Sequence, residues 1–548
     1  MFETVQRHPD LVMIGQHRAV SESDGVYRLG DITVRTLEQH DRLSISVTAL
    51  ETPVRKIRLR WHARNRMKGQ VLGDAWERSY ADLGWQNLTP WKNLPWYTLI
   101  TSGTETAGYG VMVRPAAICS WQLDPEGISL WLDMRCGGEG VELMGRTLNA
   151  AEVVFRSYDS IQPFEAARQF CQVMCTDPLL PDAPVYGANN WYYAYGHSSH
   201  SDVLEDARYL ARLTRGVPNR PFFVIDDGWQ QERYRPDGSY DDSYNGGPWL
   251  PNPRFGDMKL LAREISDAGV LPGIWVRLLQ DRNPDIPASW LLPHTGGLDP
   301  SIPEVLEYIS GVVDRIGQWG YHLLKHDFST VDVMNRWGFE MPCDMAADGW
   351  HFADRSRTSA EIIMDLYRTI LRAGEKHGML IMGCNAVGHL GAGLMHLQRI
   401  GDDTSGLMWE RTLRFGVNTL AFRLPQHRTF FDVDADCLGI SSRIPWAYNR
   451  QWGTLLSLSG TSLFYSVKPD SLPYDQEQEL SQMLRDNSVP HPPAMPLDWM
   501  DSPLPQEWDL DGKKHSFSWY EPGGLRVACA NGPEWGRVWQ EISAELES

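Results

Sequence analysis

Along the first 180 or so residues, apolar side chains recur at every second position in short runs. GVYRLGDITVRTL (25–37), RLSISVTAL (42–50), KIRLRWHA (56–63) and WYTLITSG (96–103) are of this kind. GYGVMVRP (108–115), ISLWLDMR (128–135) and AEVVFRSY (151–158) continue the series. Gly, Pro, Asp and Glu clusters separate the runs, which predicts an antiparallel β-sandwich. Near Phe164 the period lengthens to that of a helix, FEAARQFCQVMC (164–175), and the Pro-rich DPLLPDAP (177–184) reads as a linker.

From Val185 the rhythm becomes strand, loop, helix, repeated. The expected strands are VYGANNW (185–191), FFVIDDGW (222–229), LPGIWVR (271–277) and HLLKHDF (322–328), then MLIMGCN (379–385), LQRIGDD (397–403), TFFDVDAD (429–436) and TSLFYSV (461–467). Runs with helical apolar spacing lie between them at 202–213, 257–269, 303–320, 360–378 and 448–460. Eight units over roughly 285 residues predict a (β/α)8 TIM barrel, whose usual length is about 250 residues. No Gly-rich phosphate turn of a dinucleotide or nucleotide site follows a strand. After Ser471, Pro-rich turns and the short runs HSFSWYEP (515–522) and LRVACANG (525–532) predict a small antiparallel β domain. The expected organisation is multidomain α/β and β: a sandwich with linker helix over 1–180, the barrel over 181–471, a C-terminal β domain over 472–548.

Composition narrows the ligand. The 70 Asp and Glu against 51 Lys and Arg give a net charge of −19, a poor field for nucleic acid or an anionic membrane. A neutral small molecule is expected instead. The 23 tryptophans exceed an average share; packing explains most, and indoles also suit the C–H faces of sugars. No stretch approaches the ~20 apolar residues of a membrane span, and MFETVQRHPDL lacks a signal-peptide pattern, so a cytoplasmic location is expected. Cys171 and Cys175, the one close pair of eight cysteines, read as buried thiols on a helix face. Surfaces of this kind leave room for a homo-oligomer.

In such barrels the reactive groups lie at the C-terminal strand ends. Those ends carry Asn189, Asn190 and Trp191; Asp226, Asp227 and Trp229; Trp275 and Arg277; Lys325, His326 and Asp327; Cys384 and Asn385; Arg399, Asp402 and Asp403; Asp432, Asp434 and Asp436. Polar loops alone do not predict that concentration of carboxylates. Lys325 lies two residues before Asp327, so strand geometry puts both on one face, about 7 Å apart. An ammonium there would hold Asp327 ionised, as a nucleophile toward an anomeric carbon requires. Retaining hydrolysis needs a second carboxyl group ~5–5.5 Å away, protonated at the start. Asp402 or Asp403 can supply it; strand geometry turns the two in opposite directions, and residue physics does not choose between them.

At these residues the chain resembles the clan D glycosidases, specifically the family 36 α-galactosidases and their family 27 relatives. NNW (189–191) is similar to the first-strand motif lining the sugar pocket, and VIDDGW (224–229) to the motif whose paired acids bind the 4- and 6-hydroxyls of galactose. LLKHDF (323–328) resembles the K-x-D motif, and GDD (401–403) sits where the family has S-D-N or G-D-I. The resemblance implies a retaining glycoside hydrolase cleaving terminal α-galactosides by double displacement, with Asp327 as nucleophile and Asp402 as acid/base. It implies substrate binding by Trp191, Asp226, Asp227 and Lys325, and by Cys384 and Gly388 of CNAVG near the 2-hydroxyl. From their places at strand ends, Trp229 and Trp275 are also expected as pocket aromatics, and Arg399 as a contact to the 2-substituent or the aglycone, or else as the partner of a neighbouring acid. VDADCL (433–438) resembles the family 27 D-P-D stretch, with Ala435 in place of Pro and no catalytic role. His326 stands where the family usually has Trp, and Asp403 where it has Asn. No metal and no organic cofactor is implied, and the expected partner is a carbohydrate. Alternatives on the same scaffold are a transglycosylase, an α-glycosidase for N-acetylgalactosamine, β-L-arabinopyranose or glucose, a catalytically inactive sugar binder, and a metal-dependent hydrolase.

Overall fold

The computed structural model describes residues 2–80, 83–234 and 239–525. The alternating runs pair into two antiparallel sheets. One has six strands, with Gly127–Asp133 between Ile118–Asp124 and Lys56–His62. The other has nine, with Leu148–Asp159 between Leu43–Thr48 and Glu105–Val111. In the first sheet Leu130 stands opposite Leu59 and Leu132 opposite Ile57, so the apolar sets of adjacent strands share one buried face.

Helix α1 (Pro163–Met174) packs on the nine-stranded sheet and buries Phe164, Phe170, Cys171 and Met174. Its approach explains a detail of the sequence. A Cβ at Gly108 would lie 2.5 Å from the Phe170 ring, so the GYG run clears the sheet surface for the helix. Both Cys171 and Cys175 are buried free thiols.

The third sheet is parallel and TIM-barrel-like. Its strands are β1 (Tyr186–Asn189), β2 (Phe222–Ile225), β3 (Leu271–Val276) and β4 (Leu323–His326), then β5 (Leu380–Gly383), β6 (Leu397–Arg399), β7 (Asp432–Asp434) and β8 (Leu463–Ser466). They run in the order β7-β6-β5-β4-β3-β2-β1-β8, with Leu438–Gly439 beside β8, and a parallel bridge from Asp434 to Ser462 joins the ends. Every residue of β1 and β2 is buried, as expected where helices cover one face of a parallel sheet and side chains fill the other.

The helical runs form α2 (His200–Leu213), α3 (Met258–Asp267), α4 (Pro303–Trp319), α5 (Ser359–Glu375) and α6 (Trp446–Leu458). Local chemistry marks their starts. The Ser199 and Asp257 side chains accept from the first free N–H groups of α2 and α3, and Thr358 with Glu361 closes a capping box on α5.

Two elements depart from the periodic pattern. The connection from β6 to β7 carries a helical stretch, Trp409–Arg423, with a π segment at Thr412–Asn418. It is buried almost throughout, so it shows no polar face and no amphipathic period. Beyond Ser471, where β structure is expected, α7 (Tyr474–Asn487) comes first. Only Leu480, Met483 and Leu484 give it an apolar stripe, which docks on α6 and α2. The expected antiparallel pairing follows as Met495–Pro496, Glu507–Leu510 and Lys513–Ser516, whereas the 525–532 run lies almost wholly outside the described residues.

The docking of α7 is testable. Leu484→Ala removes a fully buried side chain and should cost about 2–5 kcal/mol, read as a lowered thermal midpoint. A midpoint unchanged from wild type would mean that α7 does not pack there.

Candidate active site

The C-terminal ends of the parallel strands line one cavity. Its walls include Asn189, Trp191, Asp226, Asp227, Trp275, Lys325, Asp327, Arg399 and Asp403. Most of the residues singled out from sequence therefore converge, although hundreds of positions separate them.

Asp327 leaves the end of β4 with its N–H bonded to the Val276 carbonyl at 2.9 Å. The next residue, Phe328, has φ +60, a left-handed conformation costly for an aromatic side chain. That reversal aims the Asp327 carboxylate into the cavity. The Phe328 N–H donates to its Oδ1 at 2.7 Å and Trp275 Nε1 to its Oδ2 at 3.2 Å. Both donors are neutral. His326 is buried beside it, and burial pushes its imidazole down to about 4, so it is neutral at physiological pH.

The other cavity carboxylates all hold cations. Lys325 Nζ lies 2.8 Å from Asp226 Oδ2, which also accepts from Asn189 Nδ2 at 2.5 Å. The sequence reading pairs Lys325 with Asp327; instead the ammonium turns to Asp226, across the strand gap. Burial disfavours its charge, but Asp226, Cys384 and Asp327 together outweigh burial and hold the ammonium well above its ordinary range. Asp227 pairs with Arg233 and accepts from Gln230 Nε2 at 2.6 Å. Arg399 spreads over three acids: Asp436, Asp403 at 3.2 Å and Asp434 at 3.5 Å.

Asp402 and Asp403 face opposite ways, although both lie in the loop beyond β6. Asp403 lines the cavity. Asp402 does not; its carboxylate meets Arg78 at 2.9 Å and Arg411 at 3.5 Å. Burial disfavours the Asp403 charge, but Arg399, Arg78, Arg411 and Lys325 together outweigh it and hold its carboxyl below the usual carboxylate range.

Cys384 and Gly388, expected as ligands, stand back from the cavity, as do Trp229 and Arg277. Trp229 is fully buried, donating to the Trp275 carbonyl and packing on Trp249. Cys384 is buried beneath the wall, and Gly388 packs against Phe431. Arg277 is bound to Asp332 and lies 4.4 Å over the Phe328 ring. Three lining residues carry no strong sequence signal: Tyr192, Asn245 and Cys437. Asp436 follows a strand end, as the pattern suggests, but its left-handed φ of +74 and its bond from Tyr192 Oη at 2.5 Å are tertiary outcomes. Among the described residues no group of three or more His, Cys, Asp and Glu side chains is arranged to hold a metal ion.

No family model matches the sequence, and no curated protein resembles it closely enough to be matched. Solved structures do resemble it in fold. An α-galactosidase from Thermus thermophilus, solved with p-nitrophenyl α-D-galactopyranoside, shares 16% identity over 89% of this chain and 97% of that one, with a TM-score of 0.58. The same enzyme with stachyose aligns over 82% of this chain and 99% of that one at a TM-score of 0.55 and 16% identity. A family 36 α-galactosidase, AgaA from Geobacillus stearothermophilus, shares 14% identity over 87% of this chain and 73% of that one, at 0.58. The chain thus has a family 36-like fold.

The Lys325–Asp226 pair carries a stability prediction. Lys325→Met leaves a buried carboxylate without its cation and should cost about 3–5 kcal/mol in denaturant unfolding. Adding Asp226→Asn should recover a large part of that loss; strict additivity of the two changes would refute the pairing.

Proposed function

We propose that this protein is a retaining glycoside hydrolase acting on terminal α-galactosides, with Asp327 as nucleophile and Asp403, in place of Asp402, as acid/base. The observation that carries this reading is the unequal treatment of the cavity carboxylates. Asp226, Asp227, Asp403 and Asp436 are each paired with a cation, whereas Asp327 is held by an indole N–H and a backbone N–H. Those donors orient its carboxylate without cancelling its charge. An oriented anion in a cavity lined by an indole is suited to a developing oxocarbenium ion and to attack on C1.

In the first step the Asp403 carboxyl gives its proton to the glycosidic oxygen as the C1–O bond breaks, and Asp327 forms the new bond to C1. In the second, Asp403 takes a proton from water, the oxygen attacks C1, and Asp327 leaves as carboxylate with configuration retained. Asp226, Asp227 and Lys325 form a polar floor able to bond sugar hydroxyls, and Trp191 and Trp275 supply aromatic surface. Asp403 is preferred to Asp402 because only the former reaches the cavity. The α-galactoside assignment is supported by the fold shared with the Thermus and Geobacillus enzymes and by the motif order at the strand ends.

The test uses nitrophenyl α-galactoside with azide. Asp327→Ala should abolish turnover, and azide should then form the β-galactosyl azide. Asp403→Ala should slow turnover on the order of 10²–10⁴-fold, with azide restoring rate and giving the α-galactosyl azide. Azide rescue in Asp402→Ala, with none in Asp403→Ala, would reverse the assignment. The pH profile supplies a second check. Because an acid must carry its proton to act, and cations hold Asp403 below the usual carboxylate range, kcat/KM should fall as pH rises through the acid range. A plateau extending to alkaline pH would exclude Asp403 as the acid.

A further inference from the structure

The stretch Asp74–Tyr80 follows the sandwich strand Gln70–Gly73, yet most of its partners belong to the parallel-sheet region. Asp74 pairs with Arg423 at 2.9 Å, and Trp76 Nε1 donates to the Met341 carbonyl at 2.9 Å. Glu77 accepts from the Gly338 N–H at 2.9 Å and from Asn385. The Ser79 N–H donates to the Ile400 carbonyl at 2.7 Å, and the Asp402 N–H returns a bond to the Ser79 carbonyl at 3.1 Å. This two-bond backbone clamp grips the loop carrying both Asp402 and Asp403.

Arg78 sits at the centre of the clamp. It is 6% exposed, with Nη2 2.9 Å from Asp402 Oδ1 and Nη1 3.9 Å from Asp403 Oδ1. Its guanidinium lies 5.3 Å from the centre of the Trp337 ring and 5.7 Å from that of Tyr80, which fix its direction. One side chain from the sandwich therefore touches both members of the acid pair that sequence alone left unresolved.

We propose that Arg78 is a positioning residue for the active-site acid: it pins Asp402 away from the cavity and governs when Asp403 carries its proton. This rests on the reading of Asp403 as acid/base. The guanidinium gives Asp402 a closer partner than the cavity offers, so the loop settles with Asp403 inward. At 3.9 Å its charge also favours the Asp403 carboxylate over the carboxyl, so Arg78 sets how acidic the medium must be before the proton is in place. Other groups share that task. Arg399 and Lys325 face Asp403 from the strand ends and Arg411 from the helical stretch, while the phenols of Tyr192 and Tyr195 sense the Asp403 charge and the carboxylates of Asp434 and Asp436 share Arg399 with it. Among these cations Arg78 is the one delivered by the sandwich.

Two substitutions should move the pH profile in opposite directions. Arg78→Gln removes a positive charge, so Asp403 keeps its proton to higher pH and the alkaline limb of kcat/KM shifts upward by about one pH unit. Asp402→Asn removes a negative neighbour and leaves Arg78 to Asp403, so the limb shifts downward. Arg78→Lys, which keeps the charge, should hold the limb near wild type even where kcat falls. The substrate is an aryl α-galactoside, and a 2,4-dinitrophenyl leaving group, which needs no proton, should blunt both shifts. A lowered kcat with an unmoved limb in both Arg78→Gln and Asp402→Asn would show a merely structural role and overturn the proposal alone. A wild-type protein that cleaves no α-galactoside would overturn the proposed function, and this inference with it.

Discussion

The functional end of this molecule depends on pairing buried charges. Carboxylates concentrated in one cavity repel one another and lose part of their hydration, a cost of several kcal/mol per ion unless cations compensate them. The chain supplies those cations from every side. Lys325 serves Asp226, Arg233 serves Asp227, Arg277 serves Asp332, and Arg399 serves Asp403, Asp434 and Asp436. The Lys325–Asp226, Arg277–Asp332, Arg399–Asp434 and Arg399–Asp436 pairs link segments that leave different strands, so the network that neutralises the charges also shapes the cavity.

Against that background, the isolation of Asp327 has chemical meaning. Its two neutral donors are positioned by packing: Trp275 stands between the Trp249 and Phe328 rings, and the Phe328 N–H is turned inward by a left-handed backbone. Charge is thus left without a direct counter-ion at Asp327 and compensated at the other cavity carboxylates, an asymmetry that the proposed function uses. Arg277 over the Phe328 ring and His326, neutral through burial, complete a surrounding that adds no direct counter-ion to Asp327.

The sandwich contributes more than bulk to this arrangement. Its Asp74–Tyr80 stretch enters the loop after β6 and pairs there by backbone and side chain. Without that stretch, Asp402 would keep only the more distant Arg411, at 3.5 Å, of its two arginine partners. With the stretch in place, the alternation of two adjacent acids becomes a division of labour, one into the cavity and one into an arginine cage.

Much of this was legible in the residues themselves. Alternating runs determined the sandwich strands, and buried apolar runs with amphipathic stretches between them determined the parallel strands and α2 to α6, because period and burial are local consequences of strand and helix geometry. The placement of Asp226, Asp227, Lys325, Asp327 and Arg399 around one cavity followed from their position at strand ends. Where burial is complete the local signal fades, which hid the Trp409–Arg423 stretch, and α7 carries too slight an apolar stripe to announce itself. The choice between Asp402 and Asp403, the partner taken by Lys325, and the retreat of Trp229, Cys384 and Gly388 from the cavity were decided only in three dimensions. Each turns on which charge or ring arrives from a distant part of the chain, above all Arg78 from more than 300 residues away, and no local pattern encodes that arrival.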